Sequence, residues 1–181
     1  MAARLQFALD RLSAFDLGAC RLLQARSHAR VLGTFSLVSR LGDGWVWLAM
    51  ATLLPLLDLD RGLQTIAAMA LAAALGLPLY RLLKRGTHRP RPCHALGSGL
   101  RAVVPALDQH SFPSGHTLHA VAFTIIIGGA FPALLWALLP FAVLVAVSRV
   151  VLGLHYPSDV LAGVVLGTLL GELPRALGIA L

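Results

Sequence analysis

Charge is what this sequence has least of. Asp, Glu, Lys and Arg make up 13% of its 181 residues, where a soluble domain carries about a quarter. From Gln109 to Ser148 none of the four occurs, and lysine occurs once in the whole chain, at Lys84, beside fourteen arginines. With 57% hydrophobic residues and a mean hydropathy of +0.79, the scarcity excludes a water-soluble fold and predicts a multi-pass membrane protein. Cysteine is nearly absent too. Cys20 and Cys93 cannot make a disulfide framework and are expected as free thiols. A cleavable signal is not expected, because MAARLQFALDRL places Asp10 early and lacks a clean apolar core. The little charge there is sums to +7. On so apolar a chain that sign points to anionic lipid headgroups, or to orientation by positive loops, rather than to nucleic acid.

What is present is apolar and helical. Residues 4–26 read as an amphipathic helix in the membrane interface. Leu5, Leu9, Leu12 and Phe15 recur there at helical spacing among Arg4, Asp10, Arg11, Asp16, Arg21 and Arg26. Residues 29–41 suggest another short helix, whose Arg30 and Arg40 argue against a full crossing. LGDG, at 41–44, is a break. Residues 45–57 are apolar and anchored by two tryptophans, yet short of the about 20 residues a bilayer asks for. The next turn is at 58–62, and 63–83 is a full span. From Lys84 to Phe112 the chain is rich in Gly, Pro, Arg and His and reads as a long loop. The 40 uncharged residues that follow exceed one crossing of about 20 and make two short helices, 115–129 and 132–148. A last helix starts near Pro157. Its Gly163, Gly167 and Gly171 share one face, a spacing that lets helices approach closely in lipid. The expected fold is all-α: a polytopic helical membrane bundle of about six helices with an N-terminal interfacial amphipathic segment. One membrane-embedded domain takes in residues 1–181, with 1–42 as interfacial or short helices and 43–181 as the transmembrane core.

Counting crossings puts three polar clusters on one side of the membrane. His155 and Asp159 stand four apart. On one helix face the carboxylate would fix the imidazole tautomer and free the other nitrogen to attack. A helix cap by Ser158 or Asp159 accounts for the same residues. Pro113, Ser114, Gly115 and His116 open a helix. Ser114 stands at the N-cap, the free N–H groups of the first turn suit a phosphate, and His116 beside them can give a proton to a leaving oxygen. An incidental histidine on a capped helix is the plainer reading. Lys84, Arg91 and Arg149 form a cationic clamp for phosphate oxygens, although Lys84 also reads as a snorkelling helix-end cation. Arg85, Arg89 and Arg101 are assigned to headgroups or solvent. His116 and His119 are three apart, but no further ligand accompanies them and no metal is expected. His119 packs or faces the rim. His88, His94 and His110 tune headgroup binding from the loop, and His28 is interfacial.

Together the clusters resemble the type 2 phosphatidic acid phosphatase superfamily. Its pattern is Lys, six residues, Arg-Pro; then Pro-Ser-Gly-His; then Ser-Arg, five residues, His, three residues, Asp. Here it appears as Lys84, Arg91 and Pro92; Pro113 to His116; and Ser148, Arg149, His155 and Asp159, with every fixed position present. The resemblance implies a phosphohistidine mechanism without metal or other cofactor. His155 would attack phosphorus, oriented by Asp159, and His116 would protonate the leaving oxygen. Lys84, Arg91, Ser114, Gly115 and Arg149 would hold the phosphate. It further implies a small bacterial membrane-integral phosphatase acting on a lipid phosphomonoester or diphosphate, such as undecaprenyl diphosphate, phosphatidylglycerophosphate, phosphatidic acid or lipid A. The site would face the periplasm or exterior from the inner membrane, whereas the basic loop after Lys84 favours the cytoplasmic side. Arg4, Arg11 and the loop arginines would attract anionic substrate. One alternative is a phosphotransferase that passes the phosphoryl group to a lipid or sugar hydroxyl. Another is a lipid-phosphate binding or translocating protein that does no chemistry. Oligomeric state leaves no signal.

Overall fold

The computed structural model describes residues 2–95, 97–105 and 108–179, with side chains from residue 13 onward. In lipid every backbone N–H and C=O needs an internal partner, which the apolar runs satisfy by coiling into helices. Seven α-helical segments occur among the described residues: α1 (Ala2–Ala25), α2 (Ala29–Arg40), α3 (Val46–Leu57), α4 (Leu59–Thr87), α5 (Gly115–Ala130), α6 (Leu135–Val151) and α7 (Pro157–Ala176).

LGDG differs from its sequence reading. It is no break: α2 runs through one π-helical turn, Leu41–Trp45, into α3. Gly44 alone leaves helical geometry, at φ 147°, a conformation open to glycine. The chain therefore kinks instead of turning back. α2 and α3 become one bent rod, making six rods in all, and the apolar stretch after Trp45 gains the length it lacked. The turn expected at 58–62 shrinks to Asp58, whose Oδ1 accepts the Arg61 N–H at 3.0 Å and caps α4.

α5 is the centre of the bundle and packs on α4, α6 and α7. At 16 residues it rises about 24 Å, less than a hydrocarbon core of about 30 Å. Protein rather than lipid walls it, and Leu118, Ile126 and Ile127 are fully buried. The glycine stripe of α7 lies against it. A Cβ on Gly163 would stand 2.7 Å from the Ser114 carbonyl oxygen, and one on Gly167 2.5 Å from that of Leu118. The opposite face of α7 turns Leu161, Val165 and Leu169 outward, as lipid requires. The close approach also joins the first turns of the two helices, where the Ser114 N–H donates to the Asp159 carbonyl at 3.0 Å.

The N-terminal helix docks on α6 and α7. Phe15 is exposed, but Asp16 and Cys20 are completely buried, and Cys20 packs with Val150 and Tyr156. Arg21 donates to the carbonyls of Ser98 at 2.7 Å and Gly97 at 2.6 Å. Gln24 exchanges hydrogen bonds with the Arg101 backbone at 2.9 and 3.0 Å. The side chains of Arg4, Leu5, Leu9, Asp10, Arg11 and Leu12 lie outside the described residues. Cys20 and Cys93 are free thiols.

Gly167→Val should strike the α5–α7 contact directly. A loss of about 2 kcal/mol is expected, typical of overpacking, read as a lowered unfolding temperature in detergent. Val165→Ala, on the outward face, should shift stability by no more than about 0.5 kcal/mol.

Candidate active site

The three polar clusters meet at one end of the bundle. Lys84 arrives at the end of α4. His88, left-handed at φ 49°, stops that helix, and the chain leads through Arg89 and Arg91. α5 presents Ser114, Gly115 and His116 from its first turn. α6 ends at Arg149, and the short link to α7 carries His155. A cavity of about 390 Å³ opens between them, lined among others by Lys84, Arg91, Gly115, His116, Arg149 and His155.

His155 is 1% exposed. Its Nε2 lies 3.4 Å from Arg91 Nη1. A guanidinium only donates, so Nε2 must accept and the ring proton belongs on Nδ1. Nδ1 faces Asp159 Oδ2 at 3.7 Å, near enough for electrostatic attraction but without a hydrogen bond. Asp159 Oδ2 accepts the Tyr156 N–H at 2.9 Å instead, so capping α7 and facing His155 are done by one carboxylate. Burial, and then the positive charges of Arg149, Arg91, Lys84 and His116, hold His155 well below its ordinary pKa of 6.5. The imidazole is therefore neutral near neutrality, with a lone pair aimed at the cations.

Carboxylate, carbonyl and hydroxyl partners hold the cations in place, and two of the partner residues, Asp108 and His110, line the cavity as well. Arg149 is 3% exposed and donates from Nη1 to the Ser39 hydroxyl. Its Nε has no partner. Lys84 Nζ sits 2.8 and 2.9 Å from the two Asp108 carboxylate oxygens and 3.1 Å from the His110 carbonyl. Arg91 donates to Asp108 Oδ1 at 2.7 Å, to the Asp108 carbonyl at 2.8 Å and to the Leu154 carbonyl at 2.8 Å. Burial works to raise the Asp108 carboxyl, but Lys84 and Arg91 outweigh it and keep it below the usual carboxylate range. Asp108 thus satisfies two of the three cations of the clamp with a carboxylate.

On the other side of the cavity, His116 Nε2 pairs with Asp43 of the π turn. A carboxylate accepts, so Nε2 carries the proton. Ser114 is fully buried. It caps α5, sharing a hydrogen bond with the Thr117 hydroxyl at 2.9 Å and accepting the Thr117 N–H at 3.4 Å. Its hydroxyl does not line the cavity, whereas Gly115 does. His119 donates from Nδ1 to the Gly115 carbonyl at 2.9 Å and packs edge-on against Tyr80. Among the described residues no three His, Cys, Asp or Glu side chains converge as metal ligands do.

Arg89 corrects the sequence reading. Assigned there to headgroups or solvent, it forms 2.7 Å ion pairs with both Asp16 and Asp159, because buried carboxylates demand a counter-charge that solvent cannot supply. Asp16, Asp43 and Asp108 were equally unforeseen. Asp108 left a signal, as the one carboxylate between Asp60 and Asp159. Asp43 left a weaker one, as an acid flanked by glycines.

An all-helical membrane bundle with a cationic, histidine-bearing cavity at one end defines an integral membrane protein suited to holding a tetrahedral oxyanion. The chain belongs to the PAP2 superfamily, whose model matches residues 61–173. It is 38% identical over 92 residues to a lipid A 1-phosphatase from Rhizobium etli, covering 49% of this chain but only 40% of that protein. It is 32% identical over 153 residues to a decaprenylphosphoryl-5-phosphoribose phosphatase from Mycobacterium tuberculosis, covering 82% of this chain and 81% of that one. Among solved structures it is similar to LpxE of Aquifex aeolicus, with a TM-score of 0.73 and 25% identity over 90% of this chain and 95% of the other.

Asp108→Asn should leave Lys84 and Arg91 without their carboxylate. Inorganic phosphate is expected to bind about ten-fold more tightly to this variant, as unpaired cations favour an anion, measured by calorimetry in detergent.

Proposed function

We propose that the protein is a membrane-integral phosphatase that hydrolyses a lipid phosphomonoester or diphosphate through a phosphohistidine. The observation that carries this is the His155 lone pair, directed at a cluster of buried cations, with a carboxylate behind the ring. A phosphate seated against Lys84, Arg91 and Arg149 would present phosphorus to Nε2. As the Nε2–phosphorus bond forms, the bond from phosphorus to the leaving oxygen breaks, that oxygen belonging to the lipid in a monoester and to the proximal phosphate in a diphosphate. The three cations and the N–H groups of the first turn of α5 stabilise the spreading charge. Asp159 stabilises the positive ring, and His116, in its doubly protonated form with Nε2–H held by Asp43, gives its Nδ1 proton to the departing oxygen. Water then attacks phosphorus, gives its proton to His116 and frees inorganic phosphate from His155. Ser114 serves by capping the helix that offers those N–H groups.

A substrate with an apolar tail suits a cavity at the end of a lipid-facing bundle. The names of the relatives, lipid A 1-phosphatase and decaprenylphosphoryl-5-phosphoribose phosphatase, support the same class. Residues 1–181 act in this reading as one domain. We place it in the bacterial inner membrane with the cavity toward the periplasm, following the family resemblance. The basic loop opposes this less than its composition suggests, since Lys84, Arg89 and Arg91 are paired with internal carboxylates. Reporter fusions at Ile179 would test the orientation.

The deciding experiment is phosphate release by purified protein in detergent from undecaprenyl diphosphate, phosphatidylglycerophosphate and phosphatidic acid. His155→Ala should abolish release, and Asp159→Asn should slow it at least about a hundred-fold, as loss of an orienting carboxylate does elsewhere. Retained turnover in His155→Ala would contradict the nucleophile, and a chelator should change nothing.

The pH profile is a separate check. Protonation removes the lone pair, so a depressed His155 pKa preserves the nucleophile as pH falls. kcat/KM is therefore expected to fall on the acid side only well below 6.5. An acid limb centred on 6.5 would contradict the neutral, buried imidazole.

A further inference from the structure

The chemistry above uses Asp159 through the oxygen that faces His155. The other oxygen, Oδ1, is taken by Arg89 Nη1 at 2.7 Å. The same guanidinium turns Nη2 to Asp16 of α1 at 2.7 Å and lies over the Tyr156 ring, its Cζ 4.1 Å from the centroid. Asp16 closes the figure. Its Oδ1 accepts the Ser158 N–H at 3.1 Å, and its Oδ2 accepts the Ser158 hydroxyl. Asp16 and Asp159 are wholly buried. Asp16 lies outside the residues matched to the superfamily, and Arg89 is none of its fixed positions.

Charge balance gives this cluster a purpose that packing alone does not. A single guanidinium on Asp159 would cancel the negative charge that His155 needs behind it. A guanidinium shared with a second carboxylate clamps Asp159 and still leaves one net negative charge in the group. We propose that Arg89 and Asp16 are positioning residues for phosphoryl transfer. Arg89 fixes Asp159 with Oδ2 toward His155 Nδ1. Asp16, delivered by the N-terminal helix, offsets Arg89 so that Asp159 can stabilise the positive charge arising on His155 as Nε2 bonds to phosphorus. This inference rests on the phosphohistidine reading. It makes α1 part of the reaction machinery rather than a membrane anchor alone.

The rival account is a mechanical pin between α1 and α7, and the two part company in kinetics. The test uses the full chain in detergent and whichever of undecaprenyl diphosphate or phosphatidic acid the wild type turns over. Asp16→Asn should lower kcat about ten-fold with KM unchanged within about two-fold, the size of loss expected when a supporting partner is removed. Arg89→Gln should cost about a hundred-fold, because two buried carboxylates then face each other without a cation. The double variant should recover activity above Arg89→Gln alone, a coupling that independent losses cannot produce. Gln24→Ala cuts a tether of α1, the hydrogen bonds to the Arg101 backbone, without changing charge or touching the Arg89 cluster, and should leave kcat within about two-fold. Additive losses in the double variant, an unchanged kcat in Asp16→Asn, or an equal loss in Gln24→Ala would each overturn the proposal. If Asp16→Asn does not fold, Arg89→Lys decides. It should exceed Arg89→Gln by at least about ten-fold, and equal activities would overturn the proposal. No phosphate release by the wild type would instead remove the phosphatase reading beneath it.

Discussion

The structure depends on one contact, the backbone-to-backbone packing of α5 and α7. Side chains normally hold helices 8–10 Å apart. Glycines at 163, 167 and 171 remove that spacer, and the Ser114 carbonyl lies where a Cβ of Gly163 would be. The two helices then share their first turns, with the Ser114 N–H on the Asp159 carbonyl. His116 rides on one of these turns, and Asp159 on the other, with His155 just before it. Their mutual placement is thus set by main chain, the stiffest part of the molecule. In lipid, where apolar side chains gain little by leaving their solvent, such close van der Waals contact is what holds helices together.

Charge is the second constraint. Lys84, Arg91, Arg149, Asp16 and Asp159 are all nearly inaccessible, in a chain that otherwise avoids charge. Removing one member of such a pair leaves the other unsolvated, at a cost of about 3–5 kcal/mol. The protein meets this with alternation. Asp108 stands between Lys84 and Arg91, Arg89 stands between Asp16 and Asp159, and Asp43 faces His116. Among the described residues the buried side-chain nitrogens without a hydrogen-bond partner are Arg149 Nε, His155 Nδ1 and Trp47 Nε1. Burial, and then the concentration of positive charge about His155, keep it neutral, and the same concentration of charge suits an incoming anion. Ligand attraction and nucleophile activation are one electrostatic arrangement.

Much of this was legible in the chain. The apolar runs set the helices, and the motif spacings set which polar residues belong together, because crossing a membrane leaves only two sides on which a cluster can emerge. The glycine stripe of α7 declared itself by its four-residue spacing. The misreadings were local. LGDG looked like a turn because glycine breaks helices by propensity, yet only Gly44 departs from helical geometry, and a π turn absorbs it. Arg89 looked like a solvent contact because nothing in its neighbourhood of sequence offers a carboxylate. Both its partners are about seventy positions away, in opposite directions.

By itself the sequence determined that this is a helical membrane protein with one polar end, since scarce charge and long apolar stretches admit no other solvent, and its motif spacings put Lys84, Arg91, His116, Arg149 and His155 at that end while missing Arg89. Only the tertiary structure decided which carboxylate answers each cation. Ion pairing depends on distance through space, and Asp16, Asp43 and Asp108 reach the cavity and its surroundings through helix docking and loop placement that no local pattern encodes.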